Sequence, residues 1–259
     1  MKIRHVGSSL GPDECRQHLT TFVINDTLAI DAGSLGLIAP LAAQAAITDV
    51  LISHSHLDHL ASLPMFLDNL AQLERAAPRI HASAEVCGSL RESLFNGQLW
   101  PDLFQLVDAG TPFLQQSILR AEMAVTLDGL TIVPVAVDHT VPTLGFLIED
   151  ADSAVVFSSD TGPTERLWQL ALEPRFHQKL KAVFLECSFP DNHRRLADAS
   201  GHLCPALFAA EIAKLDPPES CLIVAVHVKS AMFDQTRSEL ESLGLPNLYV
   251  SAADRTWFV

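Results

Sequence analysis

The chain has 259 residues, of which 48% are hydrophobic, so it can bury a large core and is not a disordered chain. Acidic side chains outnumber basic ones by 31 to 17, and the formal net charge of −14 argues against a broad nucleic-acid-binding face. The five cysteines are widely spaced and form no Cys-x-x-Cys pair, so we expect reduced thiols. Because the sequence shows no apolar signal segment and no apolar span of 18 residues, we expect a cytoplasmic protein with no membrane contact.

Short apolar runs alternate along the chain with longer segments of helical spacing, which predicts mixed sheets with helices outside them. Strands are expected over residues 22–24, 27–30, 50–52, 79–82, 124–127, 130–137, 144–148, 153–157, 182–185 and 221–226. Helices are expected over residues 57–76, 84–95, 163–172, 205–215 and 234–243. Asn25-Asp26 and Asp128-Gly129 predict hairpin turns. Residues 96–122 contain repeated Gly and Pro breaks, so we expect an irregular insertion within a single domain over residues 1–259.

The most informative segment is His54-Ser55-His56-Leu57-Asp58-His59, which follows a predicted buried strand. Imidazole and carboxylate groups are the ligands that suit Zn²⁺ and other first-row metals. Four such groups this close in sequence cannot all bind one ion comfortably. They can serve two ions about 3.5–4 Å apart, which is the spacing of two-metal hydrolytic sites.

Further candidate ligands stand where other predicted strands end. His139 follows the apolar run 133–137, Asp160 follows 155–157, and His227 follows 222–226. Sheet proteins commonly place their sites at such strand ends. Each residue alone could be an ordinary polar strand end, but together with the histidine cluster they indicate a second part of one metal site.

With these residues the sequence resembles the metallo-β-lactamase superfamily, and within it the class II cyclic-nucleotide phosphodiesterases, with ribonuclease Z as a near relative. The resemblance rests on the segments 54–60 with the continuation Ala61-Ser62-Leu63-Pro64, 17–22, Glu186-Cys187-Ser188-Phe189, Gly201-His202-Leu203 and His227-Val228-Lys229. It implies a four-layer αββα sandwich with two mixed sheets, helices outside and the metals at one edge.

The resemblance also implies how two divalent metal ions are held. His54, His56 and His139 would bind the first ion, Asp58, His59 and His227 the second, and Asp160 would bridge both. Zinc is the expected metal, although the same ligands accept manganese or iron. Such a pair of ions would lower the pKa of a shared water, so that hydroxide is available at neutral pH.

Phosphodiester cleavage also requires a proton for the leaving oxygen, and the resemblance points to Glu186 and His202 for this step. Glu186 would orient His202 and raise its pKa. The expected catalytic residues are Asp58, Glu186 and His202. Asp31, in Ile30-Asp31-Ala32-Gly33, would support the histidine cluster from behind or serve only as a turn residue. The sequence leaves open whether Lys229 or His18 contacts the substrate.

The favoured function is hydrolysis of 3′,5′-cyclic nucleotides such as cAMP or cGMP to 5′-nucleotides. Ribonuclease Z-like processing of tRNA 3′ ends is the first alternative, and the acidic composition disfavours it. Lactone, thioester or β-lactam hydrolysis is the second, and a metal-binding scaffold without turnover is the third. We therefore expect a small phosphodiester as the partner and no nucleic acid. A homodimer is left open.

Overall fold

The computed structural model describes residues 1–8, 18–108, 111–252 and 254–259. Its strands are β1 (Lys2–His5), β2 (Phe22–Ile24), β3 (Leu28–Ile30), β4 (Asp49–Leu51), β5 (Arg79–Ala82), β6 (Val107–Asp108), β7 (Thr111–Pro112), β8 (Gln115–Ile118), β9 (Val125–Leu127), β10 (Leu130–Val137), β11 (Thr143–Glu149), β12 (Ala154–Phe157), β13 (Leu180–Glu186), β14 (Leu222–Val226), β15 (Leu248–Val250) and β16 (Arg255–Phe258).

The α-helices are mostly short. They are α1 (Leu41–Gln44), α2 (Leu63–Gln72), α3 (Ala84–Ser89), α4 (Arg166–Ala171), α5 (Pro174–His177), α6 (Arg194–Ser200), α7 (Pro205–Leu215) and α8 (Phe233–Ser242). A π-helix over Leu90–Leu94 extends α3, and 3₁₀ turns span Leu35–Leu37, Leu57–His59, Asp191–His193 and Ser230–Met232. Within the described part of the chain, no helix is long and apolar enough to cross a membrane.

The described residues form two compact units. The first unit contains the described residues up to 120, except His18, together with residues 254–258. Its seven-stranded sheet has the order β16-β1-β2-β3-β4-β5-β8, antiparallel through β3 and parallel from β3 to β8. Phe66, Leu67 and Leu70 of α2 belong to the same apolar core as Val50 and Ile80, on the central strands β4 and β5.

The second unit contains His18, residues 121–252 and Val259. Its sheet has the order β15-β14-β13-β12-β11-β10-β9, parallel from β15 to β12 and antiparallel from β12 to β9. Trp168 of α4 and Phe208 of α7 are fully buried in the same apolar core as Val183 of β13. Two mixed seven-stranded sheets with helices agree with the predicted fold class.

The cysteine prediction agrees with the described residues. Cys87, Cys187, Cys204 and Cys221 are buried free thiols, and burial raises the pKa of Cys221 to about 12. Cys15 lies outside the described residues.

The helix predicted over residues 57–76 is shorter at both ends. The carbonyl groups of Asp58 and His59 accept hydrogen bonds from the backbone N–H groups of Thr20 and Ala32, at 2.9 and 2.7 Å. They are therefore not available as the acceptors of an α-helix that begins at Leu57. The segment forms a 3₁₀ turn instead, and α2 begins at Leu63, with Pro64 in its first turn.

The insertion predicted over residues 96–122 is only partly irregular. β8 pairs in parallel with β5 and forms one edge of the first sheet. Its sequence Gln115-Gln116-Ser117-Ile118 lacks the apolar pattern of a buried strand, because an edge strand exposes much of its surface. Residues 109–110 lie outside the described residues.

Several further elements differ from the sequence-based expectation. The helix expected from residue 163 begins at Arg166, and helices α1, α5 and α6 and strands β1, β15 and β16 were not predicted. These six elements have three to seven residues each.

A buried carboxylate joins α7 to the chain around α4. The indole N–H of Trp168 donates to Oε2 of Glu211 at 2.7 Å, and the backbone N–H of Thr164 donates to the same oxygen at 3.1 Å. The Lys214 Nζ lies 2.8 Å from Oε1 of Glu211. The backbone N–H of Thr164 donates to Glu211, so Thr164 is held in the chain before α4, which begins at Arg166.

Replacement of Glu211 by alanine should therefore destabilise the second unit. Two buried donors would lose their acceptor, at about 1–3 kcal/mol for each unsatisfied group. We expect the free energy of unfolding, measured in urea, to fall by roughly 2–4 kcal/mol. Glu219→Ala, at an exposed position, is the control and should change it by less than about 0.5 kcal/mol. Equal unfolding midpoints for the two variants would contradict this account.

Candidate metal centre

In the first unit, the histidine cluster, residues 54–59, follows the carboxyl end of β4. His54 and His59 are buried, and their ring centroids lie 4.1 Å apart, while the His54 and His56 centroids lie 4.7 Å apart. The ligand atoms of His54 and His56 lie within 4.8 Å of each other, and so do those of Asp58 and His59. The first unit therefore brings together four predicted ligands.

Asp31 fixes the orientation of two of these imidazoles. Its Oδ2 accepts from Nδ1 of His59 at 2.7 Å and from the hydroxyl of Ser53 at 2.8 Å, while Oδ1 accepts from the Ser53 backbone N–H. The Ser53 hydroxyl lies 2.9 Å from Nδ1 of His54. Since that hydroxyl donates its proton to Asp31, it accepts from His54. Both rings then carry the proton on Nδ1 and present the Nε2 lone pair as the ligand atom.

The backbone behind the cluster is tightly packed. Asp31 has a φ of 59°, in the left-handed region that is costly for non-glycine residues. A Cβ at Gly33 would lie only 2.1 Å from the Asp58 carbonyl oxygen, so no other residue fits there without a shift of the backbone. The turn after β3 is thus shaped by its contact with the metal-ligand loop.

In the second unit, four predicted site residues lie at one edge of the sheet. β12, β13 and β14 are parallel, and β10 runs in the same direction because β11 between β10 and β12 is antiparallel to both. The carboxyl ends of strands with a common direction meet at the same edge. The residues at these four ends are His139 after β10, Asp160 after β12, Glu186 as the last residue of β13, and His227 after β14.

Asp160 stands between two histidines of this edge. Its Oδ2 lies 3.3 Å from Nε2 of His227 and 4.0 Å from Nε2 of His139. The Nδ1 of His139 donates to the carbonyl oxygen of Gly201 at 2.8 Å. Burial lowers the pKa of His139 despite this bond, so the ring is held in the neutral form that binds metals. A Cβ at Gly201 would lie 3.1 Å from the His139 ring, which favours glycine there.

Glu186 is fully buried and accepts four hydrogen bonds. Three come from the backbone N–H groups of Thr161, Ser188 and Leu203, at 3.0–3.2 Å. The fourth comes from Nδ1 of His202, 2.5 Å from Oε1. Burial alone would lower the pKa of His202, but the charge of Glu186 and this hydrogen bond outweigh it and raise the pKa. The predicted pairing of Glu186 with His202 is therefore present in the structure.

Ser188 connects this pair to a predicted metal ligand. Its hydroxyl lies 2.9 Å from Nδ1 of His227 and 3.1 Å from Nδ1 of His202. The ligand atoms of Asp160, His202 and His227 lie within 4.8 Å of one another. Within the second unit, the ligand atoms of Asp160, His202 and His227 are thus close enough together to share one metal ion.

Sequence reasoning did not identify Ser53, Ser188 or Gly201 as supports of the site. Each is adjacent to a predicted site residue or two residues from one, and Ser188 and Gly201 also lie in segments that carry the family resemblance. His18 bonds through Nδ1 to the hydroxyl of Ser230 at 3.1 Å, and Lys229 donates its backbone N–H to the Ser188 carbonyl.

The donor set fits divalent first-row metal ions. It consists of imidazoles, four of which have a hydrogen-bond partner at Nδ1, and of carboxylates, which is the mixture that zinc and its neighbours prefer. The cluster of histidines and aspartates is therefore suited to divalent metal ions. Their identity is not determined by the donor set, because the same ligands accept several metals.

Comparison with known proteins supports this picture. The family described as "Beta-lactamase superfamily domain" matches residues 28–227. Comparison with curated protein sequences finds no match. Among solved structures, unliganded yeast PDE1 is similar at a TM-score of 0.79 and 18% identity, covering 100% of this chain and 99% of that chain.

Two further solved structures are similar over the whole chain. The metallo-β-lactamase fold protein YhfI from Bacillus subtilis has a TM-score of 0.74 and 15% identity, covering 99% of this chain and 98% of that one. The short form of human tRNase Z has a TM-score of 0.67 and 14% identity, covering 100% and 99%. At these identities the likenesses establish the fold, and they confirm the predicted metallo-β-lactamase fold class.

The support that Asp31 gives to the histidine cluster can be measured. Asp31→Ala removes the acceptor of both His59 and Ser53, so we expect metal affinity to weaken by about 10–100-fold. Competition with a chromophoric chelator measures this, and circular dichroism checks that the variant is folded. Asp26→Ala, at an exposed carboxylate of the β2–β3 hairpin, should keep the parent affinity. An Asp31→Ala protein with parent affinity would show that Asp31 is only a turn residue.

Proposed function

Because the chain belongs to the beta-lactamase superfamily, a family of hydrolases, we propose that it is a metal-dependent phosphodiesterase that converts 3′,5′-cyclic nucleotides to 5′-nucleotides. The observation that carries this proposal is the buried Glu186–His202 pair beside Asp160 and His227. A proton donor next to metal ligands is required when the leaving group is an alkoxide, as in cleavage of a 3′ ester.

We assign the metal ligands as the sequence resemblance implies. His54, His56 and His139 hold one ion, and Asp58, His59 and His227 hold the other. Asp160 is shared, and its place between His139 and His227 within the second unit supports that role. When bound, the two ions would supply Lewis acidity toward the phosphoryl oxygens and lower the pKa of a water. We favour zinc among the metals that these ligands accept.

The leaving 3′ oxygen receives its proton from a residue of this chain. The attacking water releases one proton to solvent and its oxygen forms a bond to phosphorus, while the bond from phosphorus to the 3′ oxygen breaks on the opposite side. Glu186 holds Nδ1 of His202, so the remaining ring proton is on Nε2. His202 donates that proton to the 3′ oxygen, and Glu186 acts as the positioning residue that stabilises the charged ring.

The acidic composition favours a small substrate over a polynucleotide. A net charge of −14 repels an RNA backbone, whereas a single phosphodiester can be drawn to bound cations. The Glu186–His202 pair also argues against carbonyl substrates that do not need a strong proton donor. The resemblance to class II cyclic-nucleotide phosphodiesterases then selects cyclic nucleotides.

A hydrolysis panel tests the substrate assignment. Metal-loaded protein should convert cAMP or cGMP to the 5′-nucleotide, and chelation should stop the reaction because the ligand set would be empty. Product analysis by chromatography distinguishes 5′ from 3′ products. A lactone, a thioester and a tRNA precursor serve as competing substrates. Cleavage of the tRNA precursor without cleavage of any cyclic nucleotide would refute the assignment.

The proton-donor role of His202 has a separate signature. His202→Ala should lower kcat on cAMP by about 10²–10⁴-fold, because the 3′ alkoxide needs a proton. Its effect on bis-p-nitrophenyl phosphate should be much smaller, because p-nitrophenolate leaves without one. Metal content should stay at the parent value.

The control for this comparison is His193→Ala. His193 lies in the 3₁₀ turn Asp191–His193 and bonds to the neighbouring Asn192 side chain, so both substrates should be cleaved at parent rates. An equal loss on both substrates in His202→Ala would mean that His202 acts on the architecture of the site and not as the acid.

A further inference from the structure

A second site of small-molecule size lies in the first unit, where β4, β5 and β8 begin. The cavity has a volume of about 420 Å³. Its polar wall includes Asp49, Arg79 and Gln115, which are the first residues of these three strands. Cavities of this size bind small organic ligands in proteins.

This cavity is distinct from the histidine cluster. β4 runs from Asp49 to Leu51, and His54 follows its carboxyl end, whereas the cavity lies at its amino end. Since β4, β5 and β8 are parallel, their amino ends share the edge of the sheet that is opposite to the metal ligands of this unit.

Two guanidinium groups line the cavity without a carboxylate partner. Within the described residues, neither Arg75 nor Arg79 forms a side-chain hydrogen bond or ion pair. The carboxylate of Asp49 is already engaged, because Oδ1 accepts from His81 at 2.7 Å and Oδ2 accepts from Thr48 at 2.8 Å. The unsatisfied charge at this wall is therefore positive, although the whole chain is acidic.

Backbone hydrogen bonds anchor the main chain of both arginines at the cavity. The N–H of Arg75 bonds to the Leu70 carbonyl where the chain turns back after α2, and the N–H of Arg79 bonds to the Thr48 carbonyl. Apolar side chains complete the cavity, including Ile47, Leu70 and Pro78. Beside an apolar wall, two guanidinium groups that are unpaired among the described residues match a ligand with a doubly charged oxyanion and an apolar body.

We propose that this cavity binds a small organic phosphate monoester that carries an apolar ring. The phosphate contacts Arg75 and Arg79, and the ring packs on Leu70, Ile47 and Pro78. Thr48 and Gln115 offer further hydrogen bonds at the rim. The proposal does not depend on the reaction at the metal centre.

Phenyl phosphate is the probe for this site, tested on the zinc-loaded full chain. Titration calorimetry gives its affinity, and amide shifts in ¹H–¹⁵N spectra give its location. We expect the shifts at Thr48, Arg75, Arg79 and Gln115. Arg75→Gln and Arg79→Gln should each weaken binding about tenfold or more, because each removes a charge-assisted contact. Both side chains are exposed, so the variants should fold normally.

The matched control is Arg120→Gln, an exposed arginine of the same unit that does not line the cavity, and its affinity should stay within about twofold of the parent. Phenol should bind more weakly than phenyl phosphate, since it lacks the anion. Shifts confined to residues 54–59, unchanged affinity in both arginine variants, equal binding of phenol, or no binding at millimolar phenyl phosphate would each overturn the proposal.

Discussion

The candidate metal centre depends on hydrogen bonds at the Nδ1 atoms of its histidines. A hydrogen bond at one imidazole nitrogen fixes the ring orientation and tautomer, so that Nε2 is presented as a ligand or proton donor. Five of the site histidines have such a partner, namely His54 with Ser53, His59 with Asp31, His139 with Gly201, His227 with Ser188 and His202 with Glu186. Two buried carboxylates, one in each unit, lie behind this arrangement. Loss of either carboxylate would affect the orientation of the site histidines more than the stability of the sheets.

One supporting carboxylate and one predicted ligand occupy strained backbone positions at the ends of strands. Asp31 and His227 have φ values of 59° and 61°, and Ser159, directly before Asp160, has 55°. Each such residue costs about 1–2 kcal/mol relative to ordinary backbone. The hydrogen bonds of Asp31 to Ser53 and of Ser188 to His227 offset this cost. The strain turns the chain sharply out of the sheet, so the side chains reach the site directly after each strand.

The predicted metal ligands and the Glu186–His202 pair support different parts of the proposed function. The ligands connect the chain to a superfamily whose fold is shared by yeast PDE1 and human tRNase Z, so they do not select a substrate. In the proposed function, Glu186 and His202 narrow the choice of substrate, because only a poor leaving group needs a proton from the protein. The cavity with Arg75 and Arg79 lies at the other end of β4, so a ligand there would not compete with substrate for the ligands of this unit.

The sequence by itself determined the metal-ligand types and most of the strands that carry them. Its apolar periods located β4, β10, β12 and β14, and a polar residue after each apolar run marked a candidate site residue. The resemblance already paired Glu186 with His202 and offered Asp31 as a support of the histidine cluster. The tertiary structure decided which atoms meet, namely Nδ1 of His202 with Oε1 of Glu186 across 16 residues and Nδ1 of His59 with Oδ2 of Asp31 across 28. It also set the start of α2 at Leu63, because Thr20 and Ala32 use the carbonyls that an earlier helix would need. The physical reason is that side-chain period is a local property, whereas hydrogen bonds between distant segments form only after the chain has folded.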